Sequence, residues 1–439
     1  MGPGLCRDAE FCHLSALCAS EAKSTGFSIQ RILIVGAGFA GLWAAIGAAR
    51  RLDELGIGRD RVEVVAVDRR PWHSIRVRNY EADLSDTRVS LDRVLDPIGV
   101  KHVAADVMDI DVAARRVVCS ASSGSQSFEY DRLVFAAGSL LVRPPISGLA
   151  ENGFDVDTYE AALRLNDHVA ALPFLPAADG RYTALVIGGG LTGVEVATEM
   201  VRKLDAAIER GPTVGKKPVP RVILVDRNSR IGSDMGESAI PVIEQALAAL
   251  GIEARAGVSV TSIDKEGVML GSGERIPAAT VVWCAGMAAN PLTSRFPVER
   301  DRFGRLRVDS FLKVAGRAAE FAAGDAAWLP IDGVHSTVMS CQHARPMGRF
   351  AGYNVVSDLL GLPMLPLVID WYTTILDLGA WGAVYTQGWD RRVASTGAAA
   401  KRTKAMINCE RIYPPRSGDA RDILAAAAPI VQRPPDLFE

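Results

Sequence analysis

Two glycine-rich turns carry the clearest chemical signal in the sequence. The first follows an apolar run at 32–35, precedes an alanine-rich helical pattern, and contains Gly36, Gly38, Phe39, Ala40 and Gly41 in the order GAGFAG. In such a turn the first glycine permits a tight bend, the second lets a pyrophosphate approach the backbone, and the third allows helix and strand to pack closely. The N-terminus of the next helix stabilises phosphate charge. A strand at 62–67 then ends in Asp68, which suits ribose hydroxyls, so the unit predicts a dinucleotide site.

The same unit occurs again further along the chain. An apolar run at 184–187 leads into a turn that contains Gly188, Gly190, Leu191, Thr192 and Gly193. A helical pattern follows, and a later strand at 222–225 ends in Asp226. Between helix and strand, residues 206–220 are rich in glycine, proline and lysine, which predicts a surface excursion. Two such turns predict two dinucleotide sites in one chain.

Three shorter motifs mark places where the chain passes close to a cofactor or crosses between domains. Two apolar runs, at 133–139 and 280–286, end in a small residue and a glycine, which are Ala137 with Gly138 and Ala285 with Gly286. The third motif, FAAGD at 321–325, places Asp325 directly after Gly324. We expect the Asp325 carboxylate to hold a hydroxylated cofactor chain, and a solvated loop acid is the alternative.

Composition excludes several other classes of protein. The 439 residues include 49 basic and 51 acidic side chains, so the chain lacks the basic excess of a nucleic-acid-binding protein. No apolar run approaches the roughly 18 to 20 residues of a transmembrane helix. The cysteines are scattered without a CxxC pair, which fits the reducing cytoplasm. No metal is expected, because even the N-terminal group matches no ligand spacing: Cys6, Cys12, His13 and Cys18.

The order of these elements predicts an α/β protein with two Rossmann-like dinucleotide-binding domains, one inserted into the other, and a C-terminal α+β unit. We expect a disordered tail at 1–29, a first domain at 30–150 and 288–362, a second at 151–287, and the C-terminal region at 363–439. A helix at 347–360 is expected to have Pro346 near its start. Aromatic and β-branched residues after 363 indicate antiparallel strands, and 422–431 indicates a short apolar helix.

On these motifs the sequence resembles the two-dinucleotide-fold flavoproteins, and most closely the type II NADH dehydrogenase-like group. The resemblance covers about residues 31–361 and rests on GAGFAG, FAAGS, IGGGLTGVE, VVWCAG and FAAGD. It implies FAD in the first domain, with the adenosine half held by the first turn, Asp68 and the adjacent Arg69. The backbone of Val107 would contact adenine, and Asp325 would hold the ribityl-pyrophosphate end.

The resemblance further implies that the second turn and Asp226 hold NADH. NADPH is less favoured because a carboxylate repels its 2′-phosphate, although Arg227 and Arg230 follow closely and could accept that group. NADH would reduce FAD, and an acceptor such as a quinone would then take two electrons in a ping-pong scheme. Glu195 is expected at the junction of nicotinamide and flavin. An acid in the first turn of a helix, paired only with the helix dipole, is the alternative.

Gln342 and His343 are expected on the acceptor side of the flavin. Gln342 would donate a hydrogen bond to a quinone oxygen and His343 would supply a proton near neutral pH, unless both only cap the following helix. The sequence departs from the quinone-reducing members here. It has Gln342, His343 and Ala344 where two adjacent glutamines and a glycine are typical, and it has no obvious amphipathic membrane-binding tail.

Three other functions compete with this interpretation. A disulfide reductase needs two closely spaced cysteines on the helix after the first turn, and residues 42–60 contain none. A sulfide:quinone reductase needs cysteines at the flavin, for which Cys341 is the candidate, whereas Cys119 and Cys284 fit buried strands. A redox sensor would bind FAD and NAD(H) with little turnover. We expect a cytoplasmic protein, and a peripheral contact with the cytoplasmic face of the inner membrane and a homodimer both stay open.

Overall fold

Two parallel β-sheets form the framework of the protein, which the computed structural model describes at residues 29–122, 124–212 and 217–435. The expected N-terminal tail, with its three cysteines, lies outside the described residues except for Ile29. The first ten strands are β1 (Gln30–Val35), β2 (Val62–Asp68), β3 (Trp72–Ser74), β4 (Arg88–Ser90), β5 (Lys101–Ala104), β6 (Asp106–Asp111), β7 (Arg116–Ala121), β8 (Gly124–Glu129), β9 (Arg132–Phe135) and β10 (Ser139–Leu141).

The remaining strands lie after the first crossing between the two sheets. They are β11 (Thr183–Ile187), β12 (Arg221–Val225), β13 (Glu253–Arg255), β14 (Val260–Asp264), β15 (Gly267–Leu270), β16 (Arg275–Pro277), β17 (Thr280–Trp283), β18 (Met287–Ala289), β19 (Leu306–Arg307), β20 (Glu320–Ala322), β21 (Ala327–Trp328), β22 (Thr373–Asp377), β23 (Ala383–Gln387) and β24 (Arg392–Thr396).

The strand order shows that the second dinucleotide unit is inserted into the first. The first sheet has the order β20-β9-β1-β2-β5 and the second the order β13-β12-β11-β17, and the pairs within both are parallel. Strand β20 follows the whole second sheet in the sequence yet completes the first. The antiparallel pair β10 and β18 joins the two halves where the chain leaves and returns. The predicted fold class is therefore confirmed.

The helices are α1 (Phe39–Glu54), α2 (Asp92–Leu95), α3 (Leu149–Asn152), α4 (Tyr159–Ala171), α5 (Leu191–Arg210), α6 (Ile240–Ala249), α7 (Cys341–Leu359), α8 (Gly397–Met406) and α9 (Ala420–Ala426). Two of their boundaries correct the sequence prediction. Helix α5 continues to Arg210, so the excursion is shorter than predicted, because Leu204, Ala207 and Ile208 bury an apolar face of its last turns. Helix α9 ends at Ala426, not at 431.

Helix α7 also begins earlier than predicted and has Pro346 in its interior. It begins at Cys341 because the Ser340 side chain caps it and accepts a hydrogen bond from the backbone N–H of His343 at 3.4 Å. Proline has no N–H, so the carbonyl of Gln342, four residues earlier, loses its helical partner. The prediction that Pro346 lies near the helix start is therefore wrong.

Close packing of α7 on α1 fixes the position of the α7 N-terminus. Gly348 and Gly352 face the backbone of α1, where an added Cβ would collide with the carbonyl oxygens of Ala40 and Ala44. Two helix backbones can approach this closely only without side chains between them. The first residues of α7 are thereby held beside the first glycine turn.

The C-terminal region contributes side chains to the hydrophobic cores of both parallel sheets. Strands β22, β23 and β24 form the antiparallel sheet expected from the sequence. Leu376, Leu378 and Val384 of this region pack into the core of the second sheet. By contrast, Ile423 of α9 packs into the core of the first. The chain end therefore bridges both dinucleotide units.

Candidate functional site

The first glycine turn has the geometry of a phosphate cradle. Gly36 has a φ of +96°, and an added Cβ would lie 2.5 Å from the carbonyl oxygen of Ala136, so only glycine fits there. Gly38 differs, because nothing lies within 4 Å of its added Cβ. The open space over Gly38 faces the N-terminus of α1, whose unpaired N–H groups attract anions. A pyrophosphate fits this position.

Asp68 closes the first turn from the neighbouring strand. Its carboxylate accepts hydrogen bonds from the backbone N–H of Ala37 at 2.8 Å and of Arg70 at 2.9 Å. The side chain of Arg69 pairs with Asp106 at 3.2 Å, next to Val107 on β6. The structure therefore brings the predicted adenosine-binding residues to one edge of the first sheet.

The second turn repeats this arrangement. Gly188 has a φ of +111°, and an added Cβ at Gly193 would collide with the Gly188 carbonyl. The carboxylate of Asp226 accepts the N–H of Gly189 and, at 2.6 Å, that of Asn228. The remaining predicted residues of this turn, Gly190 as N-cap with Leu191 and Thr192, begin helix α5.

The two arginines after Asp226 differ in their surroundings. Arg230 pairs with Glu237 at 2.7 Å on the surface. Arg227 is exposed. The guanidinium of Arg230 is thus partly neutralised by a carboxylate, which weakens its capacity to attract a 2′-phosphate. The pairing of Arg230 thus favours the dinucleotide without that phosphate, and the exposed Arg227 does not discriminate between the two dinucleotides.

Gly324 joins three parts of the candidate site. It has a φ of +72°, and its added Cβ would lie 2.7 Å from Cβ of Ala40 and 3.5 Å from Cβ of Ala344. The first glycine turn, the loop that carries Asp325 and the first turn of α7 therefore meet at this residue. A side chain larger than hydrogen would separate them.

The carboxylate of Asp325 lies in a small polar cluster. Its Oδ2 accepts a hydrogen bond from Ser139 Oγ at 2.7 Å, and Arg76 Nη1 lies 3.9 Å away. Arg76 also donates to Ser139 Oγ at 3.0 Å and pairs with Asp157. Burial raises the pKa of Asp325, and the hydrogen bond from Ser139 opposes that shift. The Arg76 side chain was not predicted from the sequence, because no motif connects it to Asp325.

The small-residue motifs mark the crossing between domains. Gly138 precedes β10 and Gly286 precedes β18, which pair antiparallel, and the N–H of Val142 donates to the Gly286 carbonyl at 3.0 Å. Ala137 and Ala285 precede these glycines and are half-buried. The structure places these motifs at the crossing between the domains, and their contact with a cofactor stays a prediction.

The first turn of α7 presents two polar side chains without partners among the described residues. Nε2 of Gln342 and Nε2 of His343 are buried and have no hydrogen-bond partner there. Nδ1 of His343 accepts the backbone N–H of Val338 at 2.9 Å, so the neutral ring carries its hydrogen on Nε2. Buried polar groups normally have partners, so an oxygen atom of a ligand is expected beside them.

The prediction that His343 supplies a proton near neutral pH is wrong. Burial, and to a smaller extent the charge of Arg305, lower its pKa to about 4. The ring is therefore uncharged at pH 7 and can donate a hydrogen bond from Nε2 without acting as an acid. Tyr372 and Trp389 stack on each other at 4.4 Å beside this ring and shield it from water.

Glu195 has a partner that the sequence did not indicate. Its carboxylate accepts a hydrogen bond from Lys404 Nζ at 2.6 Å and from the backbone N–H of Asp377 at 3.1 Å. Asp377 in turn pairs with Lys401 at 2.5 Å and accepts a hydrogen bond from the Tyr80 hydroxyl at 3.0 Å. The C-terminal region thus supplies Lys404 to the second dinucleotide unit, whereas Lys401 pairs with Asp377 inside the C-terminal region.

The charges of this cluster stabilise one another in the interior. Burial raises the pKa of Glu195, and the neighbouring Lys404 opposes the shift. Burial is the largest influence on the Lys404 ammonium and lowers its pKa, but the charge and hydrogen bond of Glu195, together with the charge of Asp377, outweigh burial and raise the pKa of Lys404. We therefore treat Glu195 and Lys404 as an ion pair. The Glu195 carboxylate has a cation as partner, not only the helix dipole.

The cysteines do not form a reactive group. In the described part of the chain Cys119, Cys284, Cys341 and Cys409 are free thiols. Burial raises the pKa of Cys119 to about 11, and burial also raises the pKa of Cys284 and Cys341. Thiols in this state are protonated at neutral pH and are poor nucleophiles. The geometry gives no support to a sulfide-oxidising site.

Within the described ranges, the side chains and helices meet the requirements of neither a metal site nor a membrane-spanning helix. Residues 29–122, 124–212 and 217–435 contain no group of three or more His, Cys, Asp or Glu side chains that could hold a metal ion. The four N-terminal residues considered as ligands lie outside those ranges. None of the helices described there is both long and apolar enough to cross a membrane.

Known proteins share this arrangement. Residues 30–348 match the pyridine nucleotide-disulphide oxidoreductase family. An NADH dehydrogenase-like protein of Mycobacterium tuberculosis is 56% identical over 407 residues, which cover 93% of this chain and 100% of that protein. A demethylphylloquinone reductase of Synechocystis is 28% identical, over 81% of this chain and 86% of that protein. Among solved structures, NDH2 from Plasmodium falciparum in complex with NADH has a TM-score of 0.73 at 14% identity, over 91% of this chain and 97% of that chain.

Proposed function

Because the chain belongs to the pyridine nucleotide-disulphide oxidoreductase family, we propose that it is an FAD-dependent NADH dehydrogenase that passes electrons to a quinone. The predicted family, the enzyme class and the cofactor pair of FAD and NADH are confirmed. The quinone is supported by a relative named as a demethylphylloquinone reductase. The alternative of a sulfide:quinone reductase is not favoured, because the buried thiols are protonated.

The meeting of three elements at Gly324 is the observation that carries this proposal. At this residue the first glycine turn, the Asp325 loop and the first turn of α7 are in contact. One end of a dinucleotide in the first turn would thereby be directed toward Asp325 and then toward Gln342. The residues we assign to cofactor and acceptor thus lie along one continuous path.

When bound, FAD supplies the two-electron carrier between nicotinamide and acceptor. The protein's own groups bind and orient the reactants. Asp325, held by Ser139, is positioned to accept hydrogen bonds from hydroxyl groups. Gln342 and His343 each offer a buried N–H without a partner among the described residues, and a quinone oxygen would satisfy them. Tyr372 and Trp389 exclude water from that side.

Glu195 belongs to the nicotinamide side in this proposal. It is the fifth residue of helix α5, which follows the second glycine turn, and so lies beyond the first turn of that helix; Lys404 fixes the position of its carboxylate. A fixed carboxylate can orient a nicotinamide ring or accept a proton through a water molecule. A positioning role through the ion pair with Lys404 fits the geometry best.

Anaerobic half-reactions test the proposal directly. The FAD-loaded protein is mixed with NADH without oxygen while the flavin absorbance is recorded, and a soluble naphthoquinone is then added. We expect the absorbance to fall with NADH and to recover with the quinone at rates that account for turnover. A redox sensor would show binding or slow bleaching without steady turnover. Failure of NADH to bleach the flavin would overturn the proposal.

The membrane contact and the homodimer remain proposals. The membrane contact follows from the chemistry of the acceptor. A lipid-soluble quinone is most accessible to an enzyme at the membrane surface, which the proposed peripheral location on the cytoplasmic face of the inner membrane provides. Co-sedimentation with vesicles of anionic phospholipid tests the contact, and light scattering after gel filtration tests the dimer. Retention in the supernatant and a monomer mass would argue against them.

A further inference from the structure

Two arginines of α7 are buried without a counter-ion. Arg345 is 8% exposed and Arg349 is 2% exposed. Nε of each is enclosed and has no hydrogen-bond partner among the described residues. Neither guanidinium forms an ion pair within those residues. Both lie over the same indole ring, because Cζ of Arg345 is 5.0 Å and Cζ of Arg349 is 4.3 Å from the ring centroid of Trp43.

The groups around this arginine pair increase the excess of positive charge. Burial lowers the pKa of Arg345 to about 10 and that of Arg349 to about 9; Cys341 opposes this shift at Arg345, and the charge of Arg411 acts in the same direction as burial on both. Arg345 further lowers the pKa of Arg349. No carboxylate is among the groups that act on them. Both side chains are still protonated at pH 7, so positive charges are enclosed together.

Such an arrangement is unstable unless an anion compensates it. Removing a charged group from water carries a large cost in free energy when no partner compensates for the desolvation. A stacked arginine with a partner lies nearby for comparison. Arg51 lies 4.4 Å over the ring of Tyr353 on the same helix pair, and it also forms an ion pair with Glu54 at 3.3 Å. Arg345 and Arg349 have no acid that corresponds to Glu54.

Two further donors lie near the arginine pair. Nε1 of Trp43 is buried and without a partner among the described residues. Arg411 donates to the carbonyl of Arg433 through one nitrogen, and its guanidinium retains further N–H groups. Guanidinium groups match the planar oxygens of carboxylates and phosphates. The ligand chemistry that fits is therefore a single oxyanion group.

The pyrophosphate of the proposed flavin would lie elsewhere. It would occupy the open space at Gly38, in front of the N-terminus of α1. Trp43 lies five residues further along the helix, which corresponds to about 7.5 Å of axial rise. The carbonyl oxygen of Arg349 approaches Gly47, further still from Gly38. The arginines therefore point to a second anion.

We propose that Arg345, Arg349 and Arg411 bind an oxyanion group, a carboxylate or a phosphate, of a ligand that can dissociate from the FAD-loaded protein. Arg345 lies three residues after Gln342, close to one helical turn along α7. The oxyanion site therefore adjoins the predicted acceptor residues. An acceptor that carries a carboxylate could occupy both places, and a free phosphate could occupy the arginine site alone.

Binding to the full-length, FAD-loaded protein tests this proposal without measuring turnover. The unfolding midpoint is followed against sodium phosphate, with sodium chloride at equal ionic strength as reference, in wild type, Arg349→Met and Arg51→Met. We expect phosphate to stabilise wild type and Arg51→Met equally. Arg349→Met should bind phosphate at least tenfold more weakly, and in chloride it should be more stable than wild type because a buried charge is gone. Flavin absorbance confirms that FAD stays bound.

Two further ligands identify the source of the oxyanion. Titration with a carboxylated naphthoquinone and with its uncharged parent is compared in the same variants, and only this arm rests on the proposed function. Tighter binding of the carboxylated compound, lost in Arg349→Met, assigns the site to an anionic acceptor. Stabilisation by phosphate alone assigns it to a free anion.

Two outcomes would overturn the proposal. One is the absence of any oxyanion-dependent stabilisation in wild type. If the variant Asp436→Asn with Glu439→Gln then gained a phosphate response, the arginines would serve acids at the chain end, which lie outside the described residues. The other is an equal phosphate response in wild type and Arg349→Met, because the stabilising anion would then bind elsewhere.

Discussion

Replacing Lys404 by methionine removes the cation that faces Glu195 in the interior. The two side chains are 8% and 9% exposed and their charged atoms are 2.6 Å apart. Removing one partner of such a buried pair leaves an uncompensated charge and destabilises a protein by about 3–5 kcal/mol. We therefore expect Lys404→Met to lower the free energy of unfolding by about that amount.

Lys401 provides a matched control on the same helix. It pairs with Asp377 at 2.5 Å; the side chain of Asp377 is 7% exposed, but that of Lys401 is 42% exposed, so solvent reaches the pair from one side, and Asp377 keeps the hydrogen bond from Tyr80 when Lys401 is replaced. Pairs that solvent screens contribute about 0.2–1 kcal/mol. Lys401→Met should therefore lower the free energy of unfolding by less than about 1 kcal/mol. Urea unfolding of the FAD-loaded proteins, followed by circular dichroism and by flavin fluorescence, measures both effects.

The double variant separates the ion pair from general packing. Glu195→Gln with Lys404→Met removes both charges. The double variant should therefore lose less unfolding free energy than the sum of the losses in the two single variants, by at least about 2 kcal/mol. With FAD retained, Glu195→Gln and Lys404→Met should each slow the reduction of FAD by NADH and leave its reoxidation by quinone unchanged. Two results would refute this prediction. One is an equal loss of unfolding free energy in Lys404→Met and Lys401→Met, and the other is a loss in the double variant that equals the sum for Glu195→Gln and Lys404→Met.

Three further predictions address the acceptor side, the pH dependence and the dinucleotide. Gln342→Leu should be reduced by NADH at the normal rate but reoxidised by quinone about tenfold more slowly, the effect of one lost hydrogen bond; equal changes in both half-reactions would make this residue structural. Burial lowers the pKa of His343 and of His73 to about 4, so the unfolded chain takes up more protons between about pH 6.5 and pH 4 and stability falls as the pH falls through that range. From pH 7 to 5 each histidine should account for about 2 kcal/mol, measured by urea unfolding, and His343→Gln should remove about half of the combined loss. Because Asp226 repels a 2′-phosphate, kcat/KM for NADH should exceed that for NADPH by at least about tenfold; an equal or larger value for NADPH would show that Asp226 has another role.

The sequence by itself determined the two dinucleotide units, because their signals are local. A tight turn requires glycine at positions such as Gly36, and a strand buried on both faces requires a continuous apolar run. Asp68 and Asp226 stand at the end of the second strand of their units. Each carboxylate accepts a hydrogen bond from the glycine turn of the same unit, so one local motif contains both partners. Motif order also indicated the insertion of one unit in the other.

The start of α7 shows where local signals compete. Proline is common in the first turn of helices, so the sequence predicts a helix that begins beside Pro346. Ser340 caps the helix earlier, and packing of Gly348 against α1 holds the helix despite the missing N–H. Tertiary contacts outweighed the local preference of proline, as they commonly do for local propensities.

Only the tertiary structure decided the electrostatics of the site. Lys404 lies 209 residues after Glu195, and no local pattern connects them. The titration of His343 likewise follows from its burial, which depends on residues brought together from distant parts of the chain. The arginines of α7 are ordinary charged residues in the sequence and become a candidate anion site only when the fold stacks them on Trp43 and brings the charge of Arg411 near them. Charge and burial depend on long-range packing, whereas turn geometry depends on neighbouring residues, and this difference separates what the sequence determined from what the fold decided.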